Sequence, residues 1–323
     1  MRRRLLITLA LSNACALSGQ AFAQESAYPS RAVRILVPFT AGTNADLVAR
    51  LFAQKLSERL KQTFVVENKA GAGGVLAAQA LLSSQPDGHT LMLVSSAHAA
   101  NPSLNTQLPY DTLRDFTGIA MVGDSPTIIV AHPSLGVRTQ AELAAAARKK
   151  AGDLNYSSPG IGSAAHFACE YFRAEAGIDM LHIPFKGTEY VAEVLSGRAQ
   201  IACPPIGLAA PHIRDGKLVP ISVTSRERVP SMPDVPTASE SGLQGFDYGI
   251  WYGLVASSKT PESVTRRLMA EMSAIVSTKE VADAMTAQGI TPLNVTGLKF
   301  DAFIKSEIEK LRRIAKASGV TRG

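Results

Sequence analysis

The chain has 323 residues, a hydrophobic fraction of 46% and a formal net charge of +6. A chain of this length is large for a single core, so we expect two domains. The positive charge is too small to indicate a nucleic-acid partner, and we expect none.

The N-terminus has the pattern of a secretory signal peptide. Arg2 to Arg4 precede a mostly apolar run that is too short to span a bilayer comfortably, and Ala21-Phe22-Ala23 matches a cleavage site. Removal of residues 1–23 takes away three arginines and no acid, which lowers the formal charge from +6 to +3. We therefore expect cleavage after Ala23 and a soluble mature protein in a bacterial periplasm.

Strand and helix patterns alternate through the mature chain, and this alternation predicts an α/β fold with mostly parallel sheets. A kink is expected at residues 124–126, and Thr139 with Glu142 forms a predicted capping box. The predicted strands are 33–37, 63–67, 90–94, 119–122, 127–131, 154–157, 180–185, 200–203, 218–224 and 248–256. The predicted helices begin near residues 44 and 74 and otherwise span 139–150, 163–176, 187–197, 261–277, 279–288 and 298–317.

The first predicted strand leads into a turn of small residues, 40–45, and we call residues 39–46 the first turn. Pro38 ends the strand because it has no N–H to donate. Gly42 is free to adopt a positive φ, and Asn44 or Asp46 is the expected cap of the following helix. Backbone N–H groups at a helix N-terminus favour an anion. An ordinary strand-to-helix connection is the competing interpretation.

A second turn, residues 158–164, repeats this arrangement. Pro159 and Gly160 break a strand, Gly162 allows close backbone approach, and Ser163 is placed to cap a helix or to donate its hydroxyl. Ligands of open α/β sheets lie beyond the carboxyl ends of the strands. Two such turns in opposed domains would therefore hold two carboxylates of one ligand across a cleft.

Three side chains beside this proposed cleft are further candidate ligand contacts. His98 follows one strand and His166 lies in the helix after the second turn. Lys186 ends another strand that is expected to point the same way.

Other classes of site fit the sequence less well. The spacing Gly160-x-Gly162-x-x-Ala165 matches a loose dinucleotide fingerprint, but the next strand ends at Phe185-Lys186 without the acid that binds ribose. No Gly-x-Ser-x-Gly nucleophile elbow is present, and the histidines lack zinc spacing. We therefore expect no cofactor, no metal and no catalytic activity.

The mature chain retains two cysteines, Cys169 and Cys203. An oxidising compartment permits a disulfide, but sequence does not give their separation in space. Since a large core makes a covalent link unnecessary, we expect two buried thiols.

A series of motifs along the chain resembles a known family, the periplasmic solute receptors of tripartite tricarboxylate transporters, called the TctC or Bug family. The resemblance covers essentially the whole mature chain. Its motifs, in order, include Val-Pro-Phe-Thr-Ala-Gly-x-x-x-Asp-x-x-Ala-Arg50, Val66-Glu-Asn-Lys-Ala-Gly-Ala-Gly-Gly74, Pro86-Asp-Gly-His-Thr-Leu, Asn101-Pro-Ser-Leu, Tyr156-x-Ser-x-Gly-x-Gly-Ser163, His182-Ile-Pro-Phe-Lys-Gly187 and Pro233-Asp-Val-Pro-Thr237.

This resemblance implies a Venus-flytrap fold, in which two α/β domains joined by two crossings close over a ligand. With the expected kink and a loop at 241–246, it divides the chain into domain I, residues 24–123 plus 247–323, and domain II, residues 124–246. It also implies capture of a small carboxylated solute for delivery to membrane permease subunits, by a protein that we expect to be a monomer. The alternative is a receptor that senses its ligand for a two-component signalling system.

The resemblance places ligand contacts in both turns and after the strand that ends near Val94. The first turn usually carries two glycines, whereas this chain has Gly42-Thr43, and many relatives have an aspartate where this chain reads Cys203-Pro204-Pro205. The missing acid favours a ligand without an amine, such as an aliphatic or aromatic dicarboxylate. The implied contacts are Phe39, Thr40, Ala41, Gly42, Thr43, Asn44, Ala45 and Asp46; Ser96, Ala97 and His98; and Ser158, Gly160, Ile161, Gly162, Ser163 and Ala164.

Overall fold

A computed structural model describes residues 28–105, 107–149 and 152–319. The predicted signal peptide and its cleavage site lie outside these residues. No helix in the described ranges has the length and apolarity needed to cross a membrane. The strands are β1 Val33–Val37, β2 Phe64–Asn68, β3 Thr90–Ser95, β4 Phe116–Pro126, β5 Ile128–Ala131, β6 Asn155–Ser158, β7 Leu181–Pro184, β8 Ile201–Ala202, β9 Val219–Val223, β10 Gly249–Ser257 and β11 Thr291–Thr296. The helices are α1 Asn44–Leu60, α2 Val75–Leu82, α3 Ser96–Leu104, α4 Gln140–Lys149, α5 Ala164–Ala176, α6 Glu189–Leu195, α7 Ile206–Arg214, α8 Glu262–Val276, α9 Lys279–Thr286 and α10 Leu298–Ser318.

Two sheets organise the described chain. The first has the order β11-β4-β10-β3-β1-β2 and the second β7-β6-β8-β5-β9. In the first sheet β1 pairs in parallel with β2 and β3, whereas β10 is antiparallel to β3 and β4, and β4 is antiparallel to β11. In the second, β6 is parallel to β7 and β8, and β5 is antiparallel to β8 and β9.

The predicted α/β fold is confirmed, but the sheets are mixed and not mostly parallel. Each sheet has a parallel part built by strand–helix–strand connections. The antiparallel pairs arise where the chain leaves a sheet or returns to it, because β4 and β10 enter the first sheet from opposite ends.

The chain passes between the sheets at two adjacent places. The pairing of β4 with β10 continues through Pro126, so the predicted kink at 124–126 does not end the strand. Thr127 then leads into the second sheet, and the chain returns after Thr224. The two threonine hydroxyl oxygens lie 2.7 Å apart in a fully buried site, and the Thr224 hydroxyl lies 2.7 Å from the Tyr248 carbonyl oxygen. The exact division into domains at 123/124 and 246/247 stays a prediction.

The C-terminal helix α10 packs against both parts of the molecule. It contacts α3 and β4 of the first sheet region and α5 of the second. On the first side, Trp251 Nε1 donates to Glu307 Oε2 over 3.1 Å. On the second side, Arg173 Nη2 donates to the Ser318 carbonyl oxygen over 2.6 Å. The helix therefore links the two sheet regions in addition to the two crossings.

The two cysteines form a disulfide, so the expectation of two thiols is wrong. Cys169 lies in α5 and Cys203 follows β8, and both are fully buried. Packing of α5 on the second sheet brings their Cα atoms to 5.7 Å, within the usual range for a disulfide. This proximity depends on tertiary packing and cannot be obtained from the spacing of the cysteines.

Candidate functional site

The first turn connects β1 to α1 as predicted, but its cap differs from the expected one. Thr43 is the N-cap, and its Oγ1 accepts from the Asp46 N–H over 3.4 Å and donates to the Thr40 carbonyl oxygen over 3.0 Å. Asn44 is the first helical residue and Asp46 lies inside the first helical turn. Gly42 has a φ of +82°, which permits the tight reversal.

Asp46 supports this turn from inside. Its Oδ2 accepts from the Gly42 N–H over 3.0 Å and from Arg50 Nε over 2.9 Å, and its Oδ1 accepts from Asn68 Nδ2 over 2.8 Å. Burial raises the pKa of this carboxyl, but the hydrogen bonds from Arg50, Gly42 and Asn68 lower it by more, so Asp46 is ionised at neutral pH. These contacts show that Asp46 holds the turn, and its predicted contact with a ligand stays a prediction.

The second turn has a similar construction. Ser163 is the N-cap of α5 as predicted, since its Oγ accepts from the His166 N–H over 3.2 Å. Ser158 Oγ accepts from the Gly160 N–H over 3.1 Å and lies 2.7 Å from His182 Nε2. The Gly162 N–H donates to His166 Nδ1 over 3.4 Å. Hydrogen bonds within the protein thus hold both turns in place without a ligand.

Each helix N-terminus retains backbone donors. Among the described residues, the amides of Asn44 and Ala45 in α1 and of Ala164 and Ala165 in α5 have no hydrogen-bond acceptor. These first-turn N–H groups carry the positive end of the helix dipole. The two helices therefore present pairs of donors with the geometry that suits carboxylate oxygens.

The two turns belong to one interior region of the molecule. A Cβ atom on Gly187, just after β7, would lie 3.1 Å from Thr40 Oγ1, so the first turn touches the segment that carries Lys186. Ala164 at the start of α5 is buried in the same apolar cluster as residues of β1, α1 and β10. The second sheet region therefore meets the first at both turns.

Two tyrosines that the sequence patterns did not single out, Tyr190 and Tyr252, lie in this region. Tyr252 on β10 lies against the side chain of Asn44, whose Nδ2 is buried without a described hydrogen-bond partner. Tyr190 on α6 is close enough to interact electrostatically with Tyr252. Burial raises the pKa of both phenols, so both are neutral. The interior between the turns is consequently polar but carries no formal charge from these groups.

A buried network stands behind the second turn. His182 stacks on Tyr156 with ring centroids 4.8 Å apart and approaches His166 at 4.2 Å. The Tyr156 hydroxyl donates to Glu170 Oε1, and Arg173 Nη2 donates to Glu170 Oε2 over 2.8 Å. Together with the bond from Arg173 to Ser318, this network connects Ser158 to the end of α10.

His98 is buried in α3, in the region of the first sheet. The predicted contacts Ser96, Ala97 and His98 lie in the first helical turn of α3, which Ser95 caps. The His98 ring is 3% exposed and packs edge-on against Phe116, with centroids 4.9 Å apart. With Phe39, it borders a small cavity next to the first turn. Ser96 and Ala97 are buried beside it.

Burial lowers the pKa of His98 to about 4, which predicts a pH dependence of stability. The unfolded side chain has a pKa near 6.5, so the folded state binds fewer protons below that pH. The stability present above about pH 6.5 is therefore lost as the pH falls towards 4, by roughly 3 kcal/mol for a shift of this size.

Denaturant unfolding at pH 7 and pH 4.5 measures this effect. We expect His98→Phe to lose clearly less stability than the wild type between the two pH values. The remaining loss includes His182, whose pKa burial also lowers to about 4 against a raising effect of Glu170. Equal losses in the two proteins would contradict the assignment to His98.

The remaining predicted contacts fall at the rim. Lys186 is exposed and forms no ion pair with a described residue, and Ala41 is exposed in the first turn. Ile161 is 43% exposed at the tip of the second turn. These positions fit a cleft edge. The structure thus brings the two turns together. His166 lies in the first helical turn of α5, and His98 lines the cavity next to the first turn.

Comparison with known proteins identifies the family. The model of the tripartite tricarboxylate transporter family receptor, TctC, matches residues 48–320. The chain belongs to the TctC family. Proteins of this family are periplasmic binding proteins that bind substrates and are not enzymes.

Three TctC relatives show the extent of the similarity. BugT of Bordetella pertussis (strain Tohama I) is 32% identical over 295 residues, which cover 90% of each chain. The structure of R. palustris Rpa4515 with adipate has a TM-score of 0.86 and 27% identity, and covers 91% of this chain and 100% of that one. MatC from Rhodopseudomonas palustris with bound malate has a TM-score of 0.83 and 31% identity, over 89% and 99% of the two chains. The two-domain fold of periplasmic binding proteins is thereby confirmed.

Proposed function

We propose that this chain is a periplasmic receptor that holds a small organic acid between its two turns and delivers it to the permease subunits of a tripartite tricarboxylate transporter. The observation that carries the proposal is the pair of helix N-termini with four backbone amides that lack a described acceptor. Solved TctC relatives hold adipate and malate, both dicarboxylates.

The roles within the site follow from the contacts. The amides of Asn44 and Ala45 bind one carboxylate, and those of Ala164 and Ala165 bind the other. Ser163 uses its oxygen as a cap and donates its O–H to the second carboxylate. Asp46 and His182 hold the two turns in shape, and Lys186 adds positive charge at the rim. No residue in this arrangement is assigned to bond making or breaking.

A thermal-shift screen of organic acids tests the ligand class. A ligand that binds only the folded state stabilises it by about 2.7 kcal/mol at a concentration one hundred times its Kd. We expect at least one mono-, di- or tricarboxylate to raise the melting temperature, and neutral sugars of similar size to leave it unchanged. A response to sugars without any response to acids would overturn the proposed function.

Delivery to a permease needs a separate test. Uptake of the identified acid into cells should require this chain together with the transporter genes. Uptake that persists without the chain would refute the transport role. In that case, a ligand-dependent response of a sensor kinase would point to the signalling alternative.

A further inference from the structure

The small cavity below the first turn contains polar atoms that the protein itself does not satisfy. His98 and Asn101 border it, with 3% and 1% of their surfaces exposed. Both ring nitrogens of His98 and the Oδ1 atom of Asn101 lack a described hydrogen-bond partner. Buried polar atoms are nearly always hydrogen-bonded, because leaving one unpaired is unfavourable. Two buried side chains with unpaired polar atoms that line one cavity indicate a site for a polar group.

The orientation of these groups is well defined. Asn101 Nδ2 donates to the Gly73 carbonyl oxygen over 3.1 Å and lies 3.2 Å from the Tyr110 hydroxyl oxygen, so its Oδ1 is the atom left for the cavity. His98 and Asn101 are three residues apart in α3 and therefore share a helix face. Phe116 packs against the His98 ring and limits its rotation.

The chemistry of the two side chains restricts the group that fits. A neutral imidazole has one N–H donor and one acceptor nitrogen, and Asn101 Oδ1 is only an acceptor. An ionised carboxylate has no hydrogen to donate, so it would leave both acceptors unpaired. A hydroxyl group accepts from the His98 N–H and donates to Asn101 Oδ1. Burial lowers the pKa of His98 to about 4, so the imidazole is neutral at pH 7 and keeps one acceptor nitrogen.

The position of the cavity relates it to the carboxylate site. Pro38 and Phe39, which lead into the first turn, form part of its wall, and Gly73 and Gly74 form another part. The cavity therefore adjoins the segment that leads into the first turn, and a substituent of a ligand held there would enter it from this side.

We propose that this cavity is a hydroxyl-binding subsite, by which the receptor selects a hydroxy acid over the same acid without the hydroxyl group. The proposal rests on the proposed function, since it assumes a carboxylate at the turns. A bound water molecule has the same hydrogen-bonding chemistry, and the test must separate a ligand hydroxyl from water.

Binding of matched pairs of acids provides this test. Calorimetry on the mature chain compares malate with succinate, citrate with tricarballylate, and mandelate with phenylacetate. For a pair that binds, we expect the hydroxy acid to bind about tenfold more tightly, because its hydroxyl group gains buried hydrogen bonds to His98 and Asn101. In His98→Phe, which keeps an aromatic ring but removes both nitrogens, the ratio of the two affinities should fall towards one.

The ratio is the readout because general damage to the fold weakens both acids together. Asn101→Leu is the second variant, and His132→Phe is the matched control, since the half-buried His132 lies after β5 of the second sheet, bonds Ser134 and does not line the cavity. A ratio near one in the wild type, or a ratio that His98→Phe and Asn101→Leu both leave unchanged, would overturn the subsite and assign the cavity to water. If no hydroxy acid binds although the thermal-shift screen finds another acid that does, the subsite fails alone. If the screen finds no acid at all, the proposed function fails, and the subsite fails with it.

Discussion

Replacement of Arg173 by Met is expected to destabilise the protein by roughly 3–5 kcal/mol, because it removes the partner of a buried carboxylate. The Glu170 side chain is 6% exposed and lies between Arg173 and the Tyr156 hydroxyl. Without the guanidinium, the carboxylate keeps one neutral donor in a poorly hydrated site. Arg173→Met also loses the bond to the Ser318 carbonyl oxygen at the end of α10. Equilibrium unfolding in guanidinium chloride measures the change.

A second ion pair supplies the matched control. Arg198 pairs with Glu193 over 2.7 Å, but the Arg198 side chain is 68% exposed. Exposed pairs contribute roughly 0–1 kcal/mol, so Arg198→Met should be nearly neutral. Adding Glu170→Gln to Arg173→Met removes the unpaired charge and should restore part of the loss. Equal effects of Arg173→Met and Arg198→Met would show that burial of Glu170 does not govern the energetics.

Removal of the disulfide is expected to reduce stability by roughly 4 kcal/mol. Cys169 and Cys203 are 34 residues apart in sequence. In the chain-entropy model, a disulfide that closes a loop of this length lowers the entropy of the unfolded chain. Its removal therefore favours the unfolded state by that amount at 25 °C. Both sulfurs are buried, so the double variant Cys169→Ala/Cys203→Ala keeps the surface of the protein unchanged.

Measurements with a reductant distinguish the contribution of the disulfide bond to stability from the effect of replacing cysteine by the smaller alanine. Unfolding and refolding with dithiothreitol should destabilise the wild type and leave the double variant unaffected. A double variant whose free energy of unfolding stays within about 1 kcal/mol of the wild type would contradict the expected contribution.

The sequence predicted the two turns because their signals are local. A strand that ends at proline, a glycine with positive φ and a helix cap all depend on neighbouring residues. Ser163 was identified correctly as a cap, whereas the cap of α1 is Thr43 and not Asn44 or Asp46. All three can cap a helix, and only the extended conformation of Thr43, with φ of −77° and ψ of 159°, decides among them.

Three elements escaped sequence reasoning for identifiable reasons. α3 is buried over most of its surface and contains Pro102, so it has no amphipathic period. α7 follows two prolines and contains Pro211. β11 is an edge strand of the first sheet, where Pro292 is tolerated but obscures the pattern.

The interior partners of the site depend on contacts between distant parts of the chain. Tyr156, Glu170 and His182 come from three separate elements, and Tyr252 reaches Asn44 from a strand more than two hundred residues later. One local signal was available, since Glu170 lies in a helix among buried residues and three positions before Arg173. An acid in that setting predicts a buried ion pair, although not its connection to the turn.

The order of strands in the first sheet has a consequence for how the chain is assembled as it emerges from N-terminus to C-terminus. β10 lies between β3 and β4 in space, yet it follows the entire second sheet in sequence. All strands of the second sheet lie between residues 128 and 223, so that sheet can be completed first. Until residue 257 has emerged, β3 and β4 each keep an unpaired edge that can pair with another chain. A chaperone that holds the emerging chain would therefore mainly need to cover residues 90–126, which contain β3 and β4.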